Sequence, residues 1–97
     1  MNIGDYVTVT KHMVANKDTR KERRPRKMIV EDIEPTPCIY LGSGQRWDGN
    51  MSFSNGEEGY SMYWENTRSY NVLMCQPLDS GGRYRKPLAA TLDGVQA

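Results

Sequence analysis

Positive charge is concentrated in one short stretch of this chain. Residues 17–27 read KDTRKERRPRK, with seven basic and two acidic residues, so the local net charge is +5. The whole chain has a formal net charge of +1, and the residues outside the stretch therefore sum to −4. Basic side chains pair with phosphate oxygens and release the counterions condensed on a nucleic acid. We call this stretch the basic run, and its cations are Lys17, Arg20, Lys21, Arg23, Arg24, Arg26 and Lys27.

A second, smaller basic group lies near the end of the chain, at Arg83, Arg85 and Lys86. It would extend the surface of the basic run if the two groups approach each other in the fold. We therefore predict that both groups together engage nucleic acid or a nucleoprotein surface. The opposing interpretation is a solvated loop that pairs with the protein's own acids, because residues 31–65 include seven acids and one base.

Aromatic residues form the second chemical pattern, with seven of them within 31 positions. They are Tyr40, Trp47, Phe53, Tyr60, Tyr63, Trp64 and Tyr70. Alternation along the chain predicts that Phe53, Tyr60 and Trp64 point into the core, which leaves Trp47 and Tyr63 as surface candidates. Acids surround these two residues and would repel a phosphate backbone, so a protein partner suits this segment better.

An alternative function follows from this acidic and aromatic segment, residues 47–65. It is a protein-interaction module, such as an inhibitor or adaptor, that binds a host protein of basic character. Its contact residues would be Trp47, Tyr63, Glu57, Glu58 and Glu65. Small soluble proteins of this type are common among the accessory genes of phages and mobile elements.

The sequence contains few residue patterns that are typical of a catalytic site. His12 is the only histidine, and no serine or cysteine lies in a nucleophile-elbow context. Gly42-Ser43-Gly44 lacks the lysine of a phosphate loop and the third glycine of a dinucleotide fingerprint. Cys38 and Cys75 lie in apolar runs without metal-ligand spacing, so we expect two buried thiols, with a cross-strand disulfide as the open alternative. We predict a non-enzymatic protein without a metal or cofactor.

Length and composition indicate one small domain over residues 1–97. With 37% hydrophobic and 26% charged residues, the chain is polar for a globular protein but too apolar for disorder throughout. It has neither the apolar stretch of about 18 residues that a membrane span needs nor the pattern of a signal peptide. We therefore expect a cytoplasmic protein without a membrane partner.

Alternation of period two dominates the chain and predicts strands. In residues 6–10, Val7 and Val9 share one face and two threonines share the other. Residues 12–27 lose this pattern and have no hydrophobic stripe, which predicts a basic loop or arm. Proline residues are expected to form a turn at 35–37 and to interrupt the last strand at 87. Residues 28–30 form a short apolar run with two β-branched residues. The other predicted strands are residues 38–41, 70–76 and 84–92, with a short tail at 93–97.

A hairpin is predicted over residues 50–65, with its tip at 55–59. Asn55-Gly56 is a strong turn dipeptide, and Asp48-Gly49 is another. A helix over 57–66 is the competing prediction, because two acids would lie in its first turn. Gly42-Ser43-Gly44 is expected to break or bulge the strand before it.

Five to six short strands with glycine and proline turns and almost no helix predict an all-β fold, a small antiparallel barrel or sandwich. The opening Gly4-Asp5-Tyr6-Val7-Thr8-Val9, the long polar loop after it, and the break at Pro87 before the last strand resemble SH3-like barrels. The resemblance implies a small antiparallel SH3-like barrel, with the long basic loop after the first strand, that serves as a binding scaffold. Residues 45–69 depart from it, because they exceed what a minimal barrel requires.

Overall fold

The computed structural model describes residues 1–16, 26–57, 59–78 and 85–97, and all of its regular elements are strands. They are β1 (Tyr6–Ala15), β2 (Met28–Gly56), β3 (Gly59–Pro77), β4 (Leu88–Ala90) and β5 (Val95–Gln96). The predicted all-β class is therefore confirmed. Two of the strands are far longer than the short strands that we expected, since β2 has 29 residues and β3 has 19.

All strand pairs are antiparallel and belong to one sheet. The first part of β2 pairs with β1 and the rest pairs with β3, which in turn pairs with β4. β4 leads back to β1 through the single pair His12 and Ala90. β5 also pairs with β1, through Val9 with Val95 and Thr8 with Gln96.

The predicted turn at Pro35 and Pro37 is wrong, because β2 continues through both prolines. The ladder between β1 and β2 is irregular where Val9 faces Thr36 and Lys11 faces Asp32. Pro35 lies in this irregular stretch, where a residue without an amide hydrogen costs the ladder nothing. Residues 28–30 and 38–41 are consequently parts of one bent strand.

The start of the predicted loop at 12–27 is also wrong. Residues 12–15 continue β1, and the ladder runs from His12 opposite Glu31 to Ala15 opposite Met28. Apolar cross-strand pairs explain the extension, because Met13 faces Val30 on the neighbouring strand. Residues 17–25, which contain most of the basic run, lie outside the described residues.

The hairpin over residues 50–65 is confirmed. β2 and β3 pair from Asn50 with Glu65 to Gly56 with Gly59, which places the tip within the predicted residues 55–59. The dipeptide Asn55-Gly56 is not itself the turn, because both residues are paired at the end of β2. The competing helix is wrong, because residues 59–66 are extended and paired within β3. We call residues 50–65 the ribbon.

A small core lies at the opposite end of the sheet from the ribbon. Val7 and Val9 are buried and Val9 is fully enclosed, as alternation predicts. They pack in a cluster with Cys38, Tyr40, Cys75 and Ala90. The radius of gyration is 16.9 Å and the dimensions are 55 × 26 × 21 Å, whereas a compact domain of this length has a radius near 13 Å. The ribbon therefore extends away from the core.

The end of the chain is partly ordered by the sheet. β4 is limited to Leu88–Ala90 and is shorter than the predicted strand over 84–92. Of the described residues in that range, 85–87 and 91–92 lie outside the strand. The predicted tail contributes β5, because Thr10 donates its amide hydrogen to the carbonyl of Gly94 (2.8 Å). Within the described residues, no helix has the length and apolar content that crossing a membrane requires.

Candidate functional site

A cleft of about 310 Å³ lies between the second half of β1 and the segment that leads into β4. Four basic side chains line it, at His12, Arg26, Arg46 and Lys86. The remaining lining residues of the described chain carry no charge and include Met13, Val14, Met28, Pro87 and Leu88. We call this the cationic cleft, because no carboxylate is among its described lining residues.

Arg26 is positioned by its backbone. Its amide and carbonyl exchange two hydrogen bonds with Gly49, at 2.8 and 3.0 Å. Gly49 occupies a bulge in β2 where an added Cβ would lie 3.0 Å from the side chain of Thr67 and 3.2 Å from the carbonyl oxygen of Glu65. The predicted turn at Asp48-Gly49 is therefore wrong, and this dipeptide instead forms the bulge that receives the end of the basic run.

The side chain of Arg26 is held against Trp47. Its Nε donates a hydrogen bond to the Trp47 carbonyl (2.9 Å), and its guanidinium carbon lies 4.6 Å from the centroid of the Trp47 ring. A cation–π contact of this kind is worth about 0.5–2 kcal/mol. Arg26 is thus oriented by Trp47, and no described residue accepts a hydrogen bond from the forked end of its guanidinium.

Arg46 and Lys86 reach the cleft from separate elements. Arg46 precedes Trp47 in β2, is half-buried, and donates from Nη1 to the carbonyl of Gln45 (2.9 Å). Lys86 is exposed in the segment before β4. Neither side chain makes an ion pair with a described residue. The structure therefore brings Arg26 of the basic run and Lys86 of the second basic group to one cleft, although they are 60 positions apart in the sequence.

Sequence reasoning missed two of the four basic residues. Arg46 stands alone among the acids of residues 31–65, and His12 is the only histidine, so neither belongs to a cluster in the sequence. The only feature of the sequence that draws attention to Arg46 is that it is the single basic residue in residues 31–65. His12 also contacts an acid, because its Nε2 lies 3.3 Å from Oε2 of Glu31.

The other predicted phosphate-binding residues are only partly described. Lys27 and Arg85 are exposed and make no ion pair with a described residue. Their backbone carbonyls accept hydrogen bonds from the Asn16 amide (2.8 Å) and from Nε2 of Gln76 (2.7 Å). Lys17, Arg20, Lys21, Arg23, Arg24 and Arg83 lie outside the described residues, as does Glu58 of the alternative site.

The aromatic residues divide differently from the sequence prediction. Trp64 was expected in the core but is 39% exposed, and Trp47 was expected at the surface but is half-buried. Their rings meet edge to face, with centroids 4.8 Å apart and an interplanar angle of 81°. Trp64 thus covers the ring that holds Arg26, and together these residues form one contact chain at the base of the ribbon.

The ribbon carries the predicted residues of the alternative site. Tyr63 is 46% exposed, and Glu57 and Glu65 are exposed as well. A hydrogen bond to Glu65 and the charge of that carboxylate raise the pKa of Tyr63 above its ordinary value. Met62 is 58% exposed, so it is a surface residue and not a filler of gaps in the core.

The two cysteines have no catalytic character. Cys38 and Cys75 are free and fully buried, in agreement with their prediction as small hydrophobic residues. Burial is the main cause that raises the pKa of the Cys38 thiol to about 11, and burial also raises the pKa of Cys75. Both therefore remain protonated at neutral pH, when a nucleophile or metal ligand would need the thiolate.

The described residues contain no cluster of three or more side chains suited to hold a metal ion. Comparison of the chain with protein-family models, with curated proteins and with solved structures gives no match.

Proposed function

We propose that this protein is a non-enzymatic, cytoplasmic binding module that engages nucleic acid or a nucleoprotein surface through its cationic cleft and the basic run that ends there. The observation that supports this function is the convergence of Arg26, Arg46 and Lys86, from three segments of the chain, on one cleft without a lining carboxylate. Like charges that approach in a fold repel one another, and an anionic ligand relieves that repulsion.

The composition of the cleft suits a nucleic-acid backbone. Arginine forks bind phosphate oxygens through two parallel hydrogen bonds, and lysine adds a mobile point charge. Apolar walls from Met13, Met28 and Leu88 can pack against sugar or base surfaces that carry no charge. Trp47 does not serve as a stacking platform in this proposal, because its ring is already occupied by Arg26 and Trp64.

We further propose that the pairing of β1, β2, β3 and β4 is an SH3-like barrel from which the ribbon projects. The support is the opening sequence Gly4–Val9 in β1, the ladders that lead from β1 through β2 and β3 to β4, and the addition of β5 to the same edge of β1 that pairs with β4. Cross-strand proton contacts between His12 and Ala90 in an NMR spectrum would test the closing step; their absence would leave an open sheet.

A second candidate function is a protein-interaction module that uses the ribbon, and the exposure of Met62, Tyr63 and Trp64 favours it. Exposed aromatic and methionine side chains are enriched at protein interfaces. Glu57 and Glu65 add negative charge to the ribbon, which favours a partner that presents positive charge.

The cleft is tested by the variant Arg46→Gln/Lys86→Gln and by fluorescence anisotropy with labelled single- and double-stranded oligonucleotides. We expect the unchanged protein to lose affinity steeply between about 50 and 200 mM salt. Removing two phosphate contacts should lower the slope of log K against log salt by about two on duplex DNA.

Arg68→Gln is the matched control for the single cleft variant Lys86→Gln, which also removes one positive charge, because Arg68 is exposed on β3 and does not line the cleft. It changes the net charge by one unit without touching the site, so it should leave binding nearly unchanged. Equal losses for the Arg68 variant and the cleft variant would contradict the proposal, because they would indicate attraction to overall charge alone. A third variant with glutamine at positions 20, 21, 23 and 24 measures how much the basic run contributes to the affinity for the oligonucleotide.

A further inference from the structure

The ribbon is a two-stranded structure that no described element covers. β3 pairs with β4 only at residues 73–75, and the sole described pairing beside the bulge of β2 is that of Arg26 with Gly49. Every residue from 61 to 69 is exposed. Isolated two-stranded hairpins are marginally stable in water, and exposed edges and apolar faces invite further pairing.

One face of the ribbon carries apolar side chains from its base to its middle, and Asn55 lies on the same face near the tip. Cross-strand partners share a face, so the pair of Met51 with Trp64 and the position of Met62 two residues along place these three side chains together. The ring of Trp64 contacts the ring of Trp47, and the guanidinium of Arg26 lies over the Trp47 ring. The opposite face carries Ser52, Ser54, Ser61 and Tyr63.

Two arginines lie at the base of the ribbon and a carboxylate lies at its tip. Glu57 lies exposed at the tip, beyond the last pair of Gly56 with Gly59. Arg26 and Arg46 lie at the base, beside the cationic cleft. Gly56 lies nine positions after Trp47, which corresponds to about 30 Å of strand. Along the ribbon, the two arginines at the base are therefore followed by the apolar side chains and then by the carboxylate of Glu57.

We infer that the occupant of the ribbon face is a second copy of this chain, with two ribbons packed antiparallel about a twofold axis near Ser52. A twofold interface is built from the same patch on both copies, so the patch must complement itself. Antiparallel ribbons place the Glu57 tip of each copy over the Arg26 and Arg46 base of the other. Met62 of each copy then packs against Met51 and Trp64 of the other.

Area sets the expected strength of this dimer. A two-stranded ribbon about 30 Å long and about 10 Å wide offers roughly 300 Å² per copy, against about 800 Å² in a standard interface. The dimer is therefore weak and forms reversibly with protein concentration. Because the tip of one copy occupies the cleft of the other, dimerisation and nucleic-acid binding compete. That competition rests on the proposed function, but dimerisation itself does not.

The experiment is sedimentation equilibrium at low salt, without nucleic acid and up to millimolar protein, on Glu57→Lys, on Arg46→Glu and on their equimolar mixture. Each variant alone places like charges at both symmetry-related contacts, so its dimer should weaken about tenfold. The mixture should recover dimerisation, because the two introduced side chains have opposite charges and meet in one contact, while the original Glu57 and Arg46 meet in the other. Circular dichroism confirms that both variants fold.

Recovery in the mixture supports a second copy as the occupant, since no other partner is present. A monomeric mass for the unchanged protein up to millimolar concentration overturns the inference, as does a mixture that associates no better than its components. A basic protein that binds the monomeric ribbon would also overturn it while supporting the second candidate function. The Glu57→Lys variant keeps all residues of the cleft. If this variant does not bind nucleic acid, the result counts against the proposed function and not against the dimer.

Discussion

At the scale of single residues, Arg26 shows how different atoms of one side chain have different surroundings. Arg26 donates its Nε hydrogen to Trp47 and lies over the Trp47 ring, which fixes its position. Its terminal nitrogens have no acceptor among the described residues. A cation that is oriented in advance loses less conformational entropy when a ligand binds. The opposing interpretation is that the basic run pairs with the protein's own carboxylates, and Arg26 makes no ion pair with a described carboxylate.

Cys38 offers a test of burial at the level of one residue. Its pKa of about 11 in the folded protein lies above the ordinary value of 9.0, which also applies to the unfolded chain. A raised pKa favours the protonated folded state, so its stabilising effect is complete below pH 9 and is lost as the pH rises to 11. Two units correspond to about 3 kcal/mol. We expect the urea midpoint to fall over this interval.

The Cys38→Ala variant is the comparison for this measurement. It should be less stable at pH 8, because it leaves a small cavity, but its midpoint should decline less between pH 9 and 11. Cys75 retains its own raised pKa in this variant, so a residual decline is expected. An identical decline in both proteins would show that the Cys38 thiol is already accessible to solvent in the folded state.

At the scale of elements, β5 is docked by backbone contacts that leave no room for a side chain. Gly94 accepts a hydrogen bond from the Thr10 amide and donates one to the Thr91 carbonyl (3.0 Å). A Cβ at Gly94 would lie 2.6 Å from Cβ of Lys11 and 2.7 Å from its carbonyl oxygen. The glycine is therefore required for the close approach of the last strand to β1.

Gly94→Ala should accordingly displace β5 and lower the free energy of unfolding by about 1–3 kcal/mol. Gly56→Ala is the matched control, because no atom lies within 4 Å of the added methyl group at the ribbon tip and Gly56 has no positive φ. It should change stability by less than about 0.5 kcal/mol. Urea unfolding of both variants measures the difference; equal midpoints would mean that β5 does not contribute to the folded state.

At the scale of the whole molecule, the core and the ribbon are separate regions. The buried residues lie in β1, β4 and the parts of β2 and β3 next to them, and the ribbon contributes little to this cluster. The cationic cleft lies where the two regions meet. This separation explains why the chain is longer than a minimal barrel and why its radius of gyration is large.

Removal of the ribbon should therefore shorten the molecule without unfolding it. A variant in which an Asn-Gly turn replaces residues 52–63 joins Met51 to Trp64, which are already paired. Small-angle scattering at low protein concentration should give a radius of gyration that falls from 16.9 Å for the full chain towards about 13 Å. Loss of cooperative unfolding in this variant would show that the ribbon belongs to the folding unit.

The amino-acid sequence by itself determined the all-β class, the inward face of Val7 and Val9, the tip of the hairpin and the burial of both cysteines. These features depend on local alternation and turn chemistry, which neighbouring residues specify. Only the tertiary structure decided that β2 is continuous and that His12, Arg26, Arg46 and Lys86 line one cleft. Contacts between residues this far apart depend on strand register and on the bulge at Gly49, and no local pattern encodes either one.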